Sequence, residues 1–129
     1  MPHLPRVDGS MLSMYLIDDH CFFRSSLRKV LEGFPRFAVV GEAPTAESSF
    51  EDAALYQAHI VFVDRWVPDV DGIILCHSLI DSLDVKCVLL SSPHLSNADR
   101  AAAAEAGVSA CVLKGAGVEA LLMAIGDLP

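Results

Sequence analysis

The sequence predicts an α/β fold, a parallel sheet of five strands with helices on both faces. Two patterns carry that expectation. Short, almost wholly apolar runs recur along the chain, and each is followed by a stretch whose apolar residues fall at helical spacing. Composition agrees: 53% of the 129 residues are hydrophobic but only 7% are aromatic, the aliphatic mix of strands buried on both faces. A chain of this length holds one core rather than two.

Met1 to Met11 carry Pro2, Pro5 and a turn-like Val7-Asp8-Gly9-Ser10 without hydrophobic periodicity. Residues 1–12 therefore read as a flexible leader to a domain at 13–127. Met11 and Met14 are alternative starts, and the leader is either a natural extension or a cloning remnant. Met14 to Ile17 is the first expected strand. Cys21 to Glu32 follows as a helix, with Phe23, Leu27, Val30 and Leu31 on one face and Gly33 as its stop. Phe37 to Val40 is the second strand. Pro44-Thr45 opens a second helix whose Ala46, Phe50, Ala53 and Ala54 share a face.

Ile60 to Val63 is the third strand, apolar throughout and ending at Asp64. Arg65 to Gly72 is a polar loop, Ile73 to Ser82 a helix, and Lys86 to Leu90 the fourth strand. Asn97 to Ala106 makes an alanine-rich helix ending at Gly107, and Ala110 to Leu113 the fifth strand. Val118, Leu121, Leu122 and Ile125 stand at i, i+3, i+4 and i+7 on a last helix closed by Gly126. Strict strand–helix alternation with right-handed crossovers leaves few topologies, of which the flavodoxin-like order 2-1-3-4-5 suits five strands.

Charge and cysteine usage narrow the function classes. A formal charge of −8, with no Lys/Arg-rich run, repels polyanions and argues against direct nucleic-acid binding. Cys21, Cys76, Cys87 and Cys111 stand far apart, without a C-x-x-C pair or zinc-finger spacing, and read as small buried apolar residues of a reduced cytoplasmic protein. No apolar run approaches the roughly 18 residues that span a membrane, and no basic-then-apolar signal opens the chain.

In open parallel sheets ligands bind beyond the carboxyl ends of the strands. There the first strand gives way to Asp18-Asp19, the third to Asp64, the fourth to Ser91-Ser92 and the fifth to Lys114. Three crowded carboxylates repel one another and need a cation, and oxygen ligands with room for water and phosphate suit Mg²⁺. A carboxylate beside that ion can attack phosphorus while Lys114 and a serine hydroxyl stabilise the phosphoryl oxygens, giving an aspartyl phosphate. Singly, Asp18, Asp19 or Ser91 would read as helix N-caps. Placed together at the matching ends of four strands, they read as a site.

At these residues the sequence resembles the receiver domain of two-component response regulators, over essentially all of Met14 to Ile125. Leu16-Ile17-Asp18-Asp19-His20 resembles the acidic-pair motif, and its trailing His is similar to the subfamily whose longer members carry a helix-turn-helix output domain. Asp64-Arg65-Trp66-Val67-Pro68-Asp69-Val70-Asp71-Gly72 resembles the phosphoacceptor loop, with Val67 where the family has Met. Val88 to Ser92 is similar to the strand ending in the switch Ser/Thr, and Val112-Leu113-Lys114 to the lysine motif.

The resemblance implies that Asp64 accepts the phosphoryl group from a sensor histidine kinase. It also implies that Asp19 and Asp64 bind Mg²⁺ directly with the Trp66 carbonyl, that Asp18 acts mainly through water, and that Ser91 and Lys114 contact the phosphoryl group. Two departures bear on mechanism. Cys111 stands where the family usually has an inward-swinging Tyr or Phe, and Gly115 follows Lys114 where Pro or Asp is common. Trp66 and Pro93 hold positions from which side chains can shield the phosphoryl group. For Trp66 two readings stand, slower hydrolysis or an exposed aromatic at a partner surface.

Other signals are set aside. Gly115-Ala116-Gly117-Val118-Glu119-Ala120 matches a G-x-G-x-x-A fingerprint but sits in the last βα unit, with no later strand to supply a ribose-binding acid. His20 and His94 stand near the expected site and could serve as metal ligands, but neither pairs with a second His at ligand spacing, and surface or outer-shell roles are the preferred reading. The small-residue face at Asn97 to Ala106 reads as a well-packed helix, on a side where family members dimerise or signal. The expected function is a phosphorylation switch without other enzymatic activity. The rival is an interaction adaptor that is never phosphorylated, favoured by Cys111. A phosphatase with an aspartyl nucleophile would want an acid two residues on, where Trp66 stands. A stand-alone receiver and a piece of a longer regulator both stay open, as does a homodimer.

Overall fold

The structure is a computed structural model and describes residues 11–92 and 94–126. Its elements run β1 (Leu12–Ile17), α1 (Cys21–Glu32), β2 (Phe37–Ala43), α2 (Ala46–Phe50), a 3-10 turn (Ala53–Gln57), β3 (Ile60–Asp64), α3 (Gly72–Leu83), β4 (Lys86–Ser91), α4 (Asn97–Glu105), β5 (Ala110–Leu113) and α5 (Val118–Gly126). The five strands pair in the order β2-β1-β3-β4-β5, all parallel, as the alternating pattern predicts.

Strand residues point alternately to the two faces, and the core divides accordingly. Met14, Leu16, Ile60, Phe62, Val88 and Leu90 pack with Leu27 and Leu31 of α1 and Leu121, Ala124 and Ile125 of α5. Tyr15, Ile17, Val61, Val63, Cys87 and Leu89 pack with Leu75, Cys76 and Leu79 of α3 and Ala103 of α4. Both faces of the three central strands are thus dry, which is why those strands lack the polar alternation of a half-exposed sheet.

Three local expectations need correction. β1 begins at Leu12, which is buried, so the strand takes the last residue assigned to the leader; residues 1–10 lie outside the described residues. The second helix does not run through Ala53 and Ala54. It ends at Phe50, and Asp52 starts a separate 3-10 turn by accepting the Ala54 N–H. Asp52 also accepts the Tyr15 hydroxyl at 2.8 Å, so a contact 37 residues away in sequence competes with helix continuation there. Phe50 is consequently exposed, and Ser49 and Leu55 are buried instead. The four cysteines also divide: Cys76 and Cys87 are buried and Cys111 is half-buried, but Cys21 is exposed.

Candidate functional site

The backbone ladder continues one residue past three of the strands, and this places the loops that carry the polar side chains. Asp18 N–H donates to the Ala43 carbonyl, Arg65 N–H to that of Leu90, and Lys114 N–H to that of Ser91. Arg24 of α1 donates through Nη1 to the Asp18 carbonyl and through Nε to Glu42 of β2, tying the acid-bearing turn to the sheet edge. Burial alone would raise the Glu42 carboxyl, but hydrogen bonds from Arg28 and Arg24 outweigh it and hold the group below its ordinary range.

The loop after β3 is pinned at both ends. Asp69 accepts the Ala46 and Glu47 N–H groups at 3.0 and 2.9 Å, capping α2 from a distance. Asp71 caps α3 by accepting the Ile73 and Ile74 N–H groups. Gly72 packs directly against the loop: a Cβ there would lie 2.3 Å from the Asp64 carbonyl oxygen and 2.8 Å from Arg65 Cα. The Asp-Gly pair therefore closes the loop that holds Asp64, the Asp through its cap and the Gly through its lack of a side chain.

Asp18 and Asp64 side chains are each only 2% exposed. Lys114 Nζ is 2.7 Å from Asp18 Oδ2 and 3.6 Å from Asp64 Oδ1, and it lies over the Phe23 ring, 4.6 Å from its centre. The Trp66 N–H donates to Asp64 Oδ1 at 3.3 Å. Among the described residues Oδ2 of Asp64 has no hydrogen-bond partner, and Asp18 Oδ2 faces Lys114 as an ion pair without hydrogen-bond alignment. Burial first, and then the charge of Asp18, push the Asp64 carboxyl above its ordinary range, with Lys114, the Trp66 N–H and His20 pulling the other way. One ammonium for two buried carboxylates leaves negative charge uncompensated, so the donor set fits a divalent cation bound by oxygen.

The structure brings together Asp18, Asp19, Asp64 and Lys114, four of the residues singled out in the sequence. Ser91 is buried at the same edge, where its hydroxyl donates to the His94 carbonyl at 3.2 Å; Pro93 lies outside the described residues. Trp66 is 58% exposed, with the Arg65 guanidinium 4.1 Å from its ring centre.

Two residues matter more than the sequence suggested. His20 Nδ1 lies within 3.8 Å of all three carboxylates. Arg65 is buried, pairs with Asp71 at 2.8 Å and reaches Asp99 of α4 at 3.3 Å. The signal for Arg65 was faint: a charged residue directly after a wholly apolar strand.

A family profile described as the response regulator receiver domain matches residues 14–126. The chain belongs to the receiver family. Response regulator UvrY of Escherichia coli is 29% identical to the receiver over 116 residues, covering 89% of this chain and 53% of that protein. The DNA-binding transcriptional activator DevR/DosR of Mycobacterium tuberculosis is 31% identical over 105 residues, 81% of this chain and 48% of that one. A solved LuxR-family two-component response regulator from Aurantimonas superposes with a TM-score of 0.80 at 28% identity, covering 91% of the receiver and 84% of that chain. The receiver spans about half the length of the curated relatives it matches. Among the described residues, no helix is long and apolar enough to cross a membrane.

Proposed function

We propose that this receiver is a phosphorylation switch that takes a phosphoryl group onto Asp64 from a histidine kinase. The observation that carries the reading is the buried Asp64 carboxylate, whose Oδ2 has no hydrogen-bond partner among the described residues while Oδ1 is held by Lys114 and the Trp66 N–H. That leaves Oδ2 open to a cation, with Oδ1, oriented by Lys114 and the Trp66 N–H, as the nucleophile. As Asp64 attacks, an oxygen–phosphorus bond forms and the phosphorus–nitrogen bond of the donor phosphohistidine breaks, its imidazole leaving with a proton.

Asp18, Asp19, Asp64 and the Trp66 carbonyl are the groups that would hold Mg²⁺, which supplies charge neutralisation for the carboxylates and the phosphoryl oxygens when bound. Lys114 shifts from Asp18 toward the new phosphoryl oxygens, and Ser91 exchanges the His94 carbonyl for one of them. The added charge of about −1.5 to −2 is the driving force for both moves.

In this reading the receiver works in the cytoplasm, pairs with a sensor kinase, forms a homodimer when its output requires one and contacts no nucleic acid itself. A helix-turn-helix output domain would sit in a longer chain. Intact-mass analysis after incubation with acetyl phosphate and Mg²⁺ tests the proposal. One phosphoryl adduct, absent without Mg²⁺ and absent in Asp64→Asn, is the expected result. Cys111, half-buried where the family has an aromatic, favours a second reading, an adaptor that is never phosphorylated. An unmodified wild-type protein would select it.

A further inference from the structure

The acid edge contains a donor that a carboxylate site does not require. His20 precedes α1 and makes no side-chain cap for that helix, so its imidazole is not spent on the helix end. Its Nδ1 stands 3.1 Å from Asp18 Oδ1, 3.7 Å from Asp64 Oδ2 and 3.8 Å from Asp19 Oδ1. One donor atom from each of these four residues lies within 4.8 Å of all the others. Ligands held about 2.1 Å from one ion stand about 3.0 Å apart when adjacent in an octahedron and about 4.2 Å apart when opposite. The three separations from Nδ1 fall inside that span.

Two further observations point to a cation at this place. Nδ1 is also 2.9 Å from Lys114 Nζ. The ammonium has only protons to offer and needs the imidazole lone pair, whereas Asp18 Oδ1 beside it needs a proton. A ring nitrogen supplies one or the other, so the two contacts conflict. An ion among the four donors removes the conflict, because the lone pair and the carboxylate oxygens then face the same positive charge. Independently, Asp64 Oδ2 is buried without a hydrogen-bond partner among the described residues and lies on the side of the carboxylate nearest Nδ1.

We propose that His20 is a direct ligand, through Nδ1, of the divalent cation held by Asp18, Asp19 and Asp64. The resulting site of oxygens plus one nitrogen takes a first-row transition ion such as Mn²⁺ in preference to Mg²⁺. The inference rests on the metal pocket of the phosphorylation reading and adds the identity of one ligand and the class of ion. Its chemistry is ordinary: Mg²⁺ is held almost wholly by oxygen, whereas imidazole raises affinity for first-row ions along the Irving–Williams order. With the nitrogen turned to the ion, Lys114 loses its imidazole contact and keeps those to the carboxylates.

Electron spin-echo spectroscopy of Mn²⁺ bound to the full chain reads the ligand directly, and calorimetric titration with Mn²⁺ and with Mg²⁺ reads the preference. Wild type is expected to show nitrogen modulation from a coordinated imidazole. His20→Phe is expected to abolish it and to weaken Mn²⁺ about tenfold, with a smaller change for Mg²⁺. Asp64→Asn is expected to weaken both ions. Mn²⁺ that binds in an Asp64-dependent way without nitrogen modulation overturns the His20 proposal and leaves the acid pocket standing. Equal weakening of both ions by His20→Phe also overturns it. A wild-type chain that binds neither ion overturns the pocket as well.

Discussion

Along the carboxyl edge of the sheet, Asp18, Asp64 and Lys114, which follow β1, β3 and β5, are buried against one another, whereas Ser91 at the end of β4 turns its hydroxyl to the loop that follows it. Asp18 and Asp64 are buried around Lys114, and Asp69, Asp71 and Gly72 lock the loop beside them. Among the described residues Ser91 donates one side-chain hydrogen bond, to a loop carbonyl, and Cys111 is half-buried. On the proposed reading the first group carries phosphoryl acceptance, and with Cys111 the usual aromatic route to the far helices is missing. Arg65 is what spans the two regions, with Asp71 on its own loop and Asp99 on α4.

The contrast breaks first at Gly72. Gly72→Ala places a methyl group against the Asp64 carbonyl and the Arg65 backbone, and the expected cost is roughly 4 kcal/mol, at the exceptional end of single substitutions. Urea unfolding measures it, and a cost under about 1 kcal/mol would mean that the loop yields. Next comes Lys114→Ala, which strands two buried carboxylates. A loss of about 3 kcal/mol in urea is expected, with a fall of about a hundredfold in the rate of phosphorylation by acetyl phosphate.

The pH dependence sharpens the comparison, because the two carboxyls carry opposite signs. Burial would raise Asp71, but Arg65 and the Ile73 and Ile74 N–H groups outweigh it and lower it. Asp71 therefore stabilises the fold above its unfolded value of about 3.9, and that contribution is lost as pH falls through the folded value. Asp64 is raised, so its charge costs stability at neutral pH, and the cost is relieved as pH falls through its folded value. In a chelating buffer, Asp64→Asn should be more stable than wild type at pH 7, by on the order of 1 kcal/mol, with the advantage shrinking in acid. Asp71→Asn should be less stable at pH 7, with the deficit closing in acid. The smallest effect belongs to Ser91→Ala, at about 0.5–1 kcal/mol for one hydrogen bond, with the stability of the Asp64 pocket unchanged by thermal unfolding with and without Mg²⁺.

Much of this was legible in the sequence for a physical reason. The apolar runs of β1, β3 and β4 are buried on both faces, so they announce themselves without alternation, and the acids stand directly after them. What stayed hidden depends on partners far along the chain. The break after Phe50 follows from Asp52 meeting Tyr15, and the role of Arg65 from Asp99, 34 residues on. His20 lacked a second His at ligand spacing in the sequence, and its contacts with Asp64 and Lys114 arrive from other strands. Periodicity and spacing report a residue's own element and are silent about what folds against it.

The most direct test traps the phosphoryl group where it forms. Borohydride reduction of the phosphorylated receiver converts an aspartyl phosphate to homoserine, which peptide mass mapping locates. The account predicts homoserine at position 64 alone, only after treatment with Mg²⁺ and acetyl phosphate. Homoserine at position 18 or 19, or none in a fully folded protein, would contradict it.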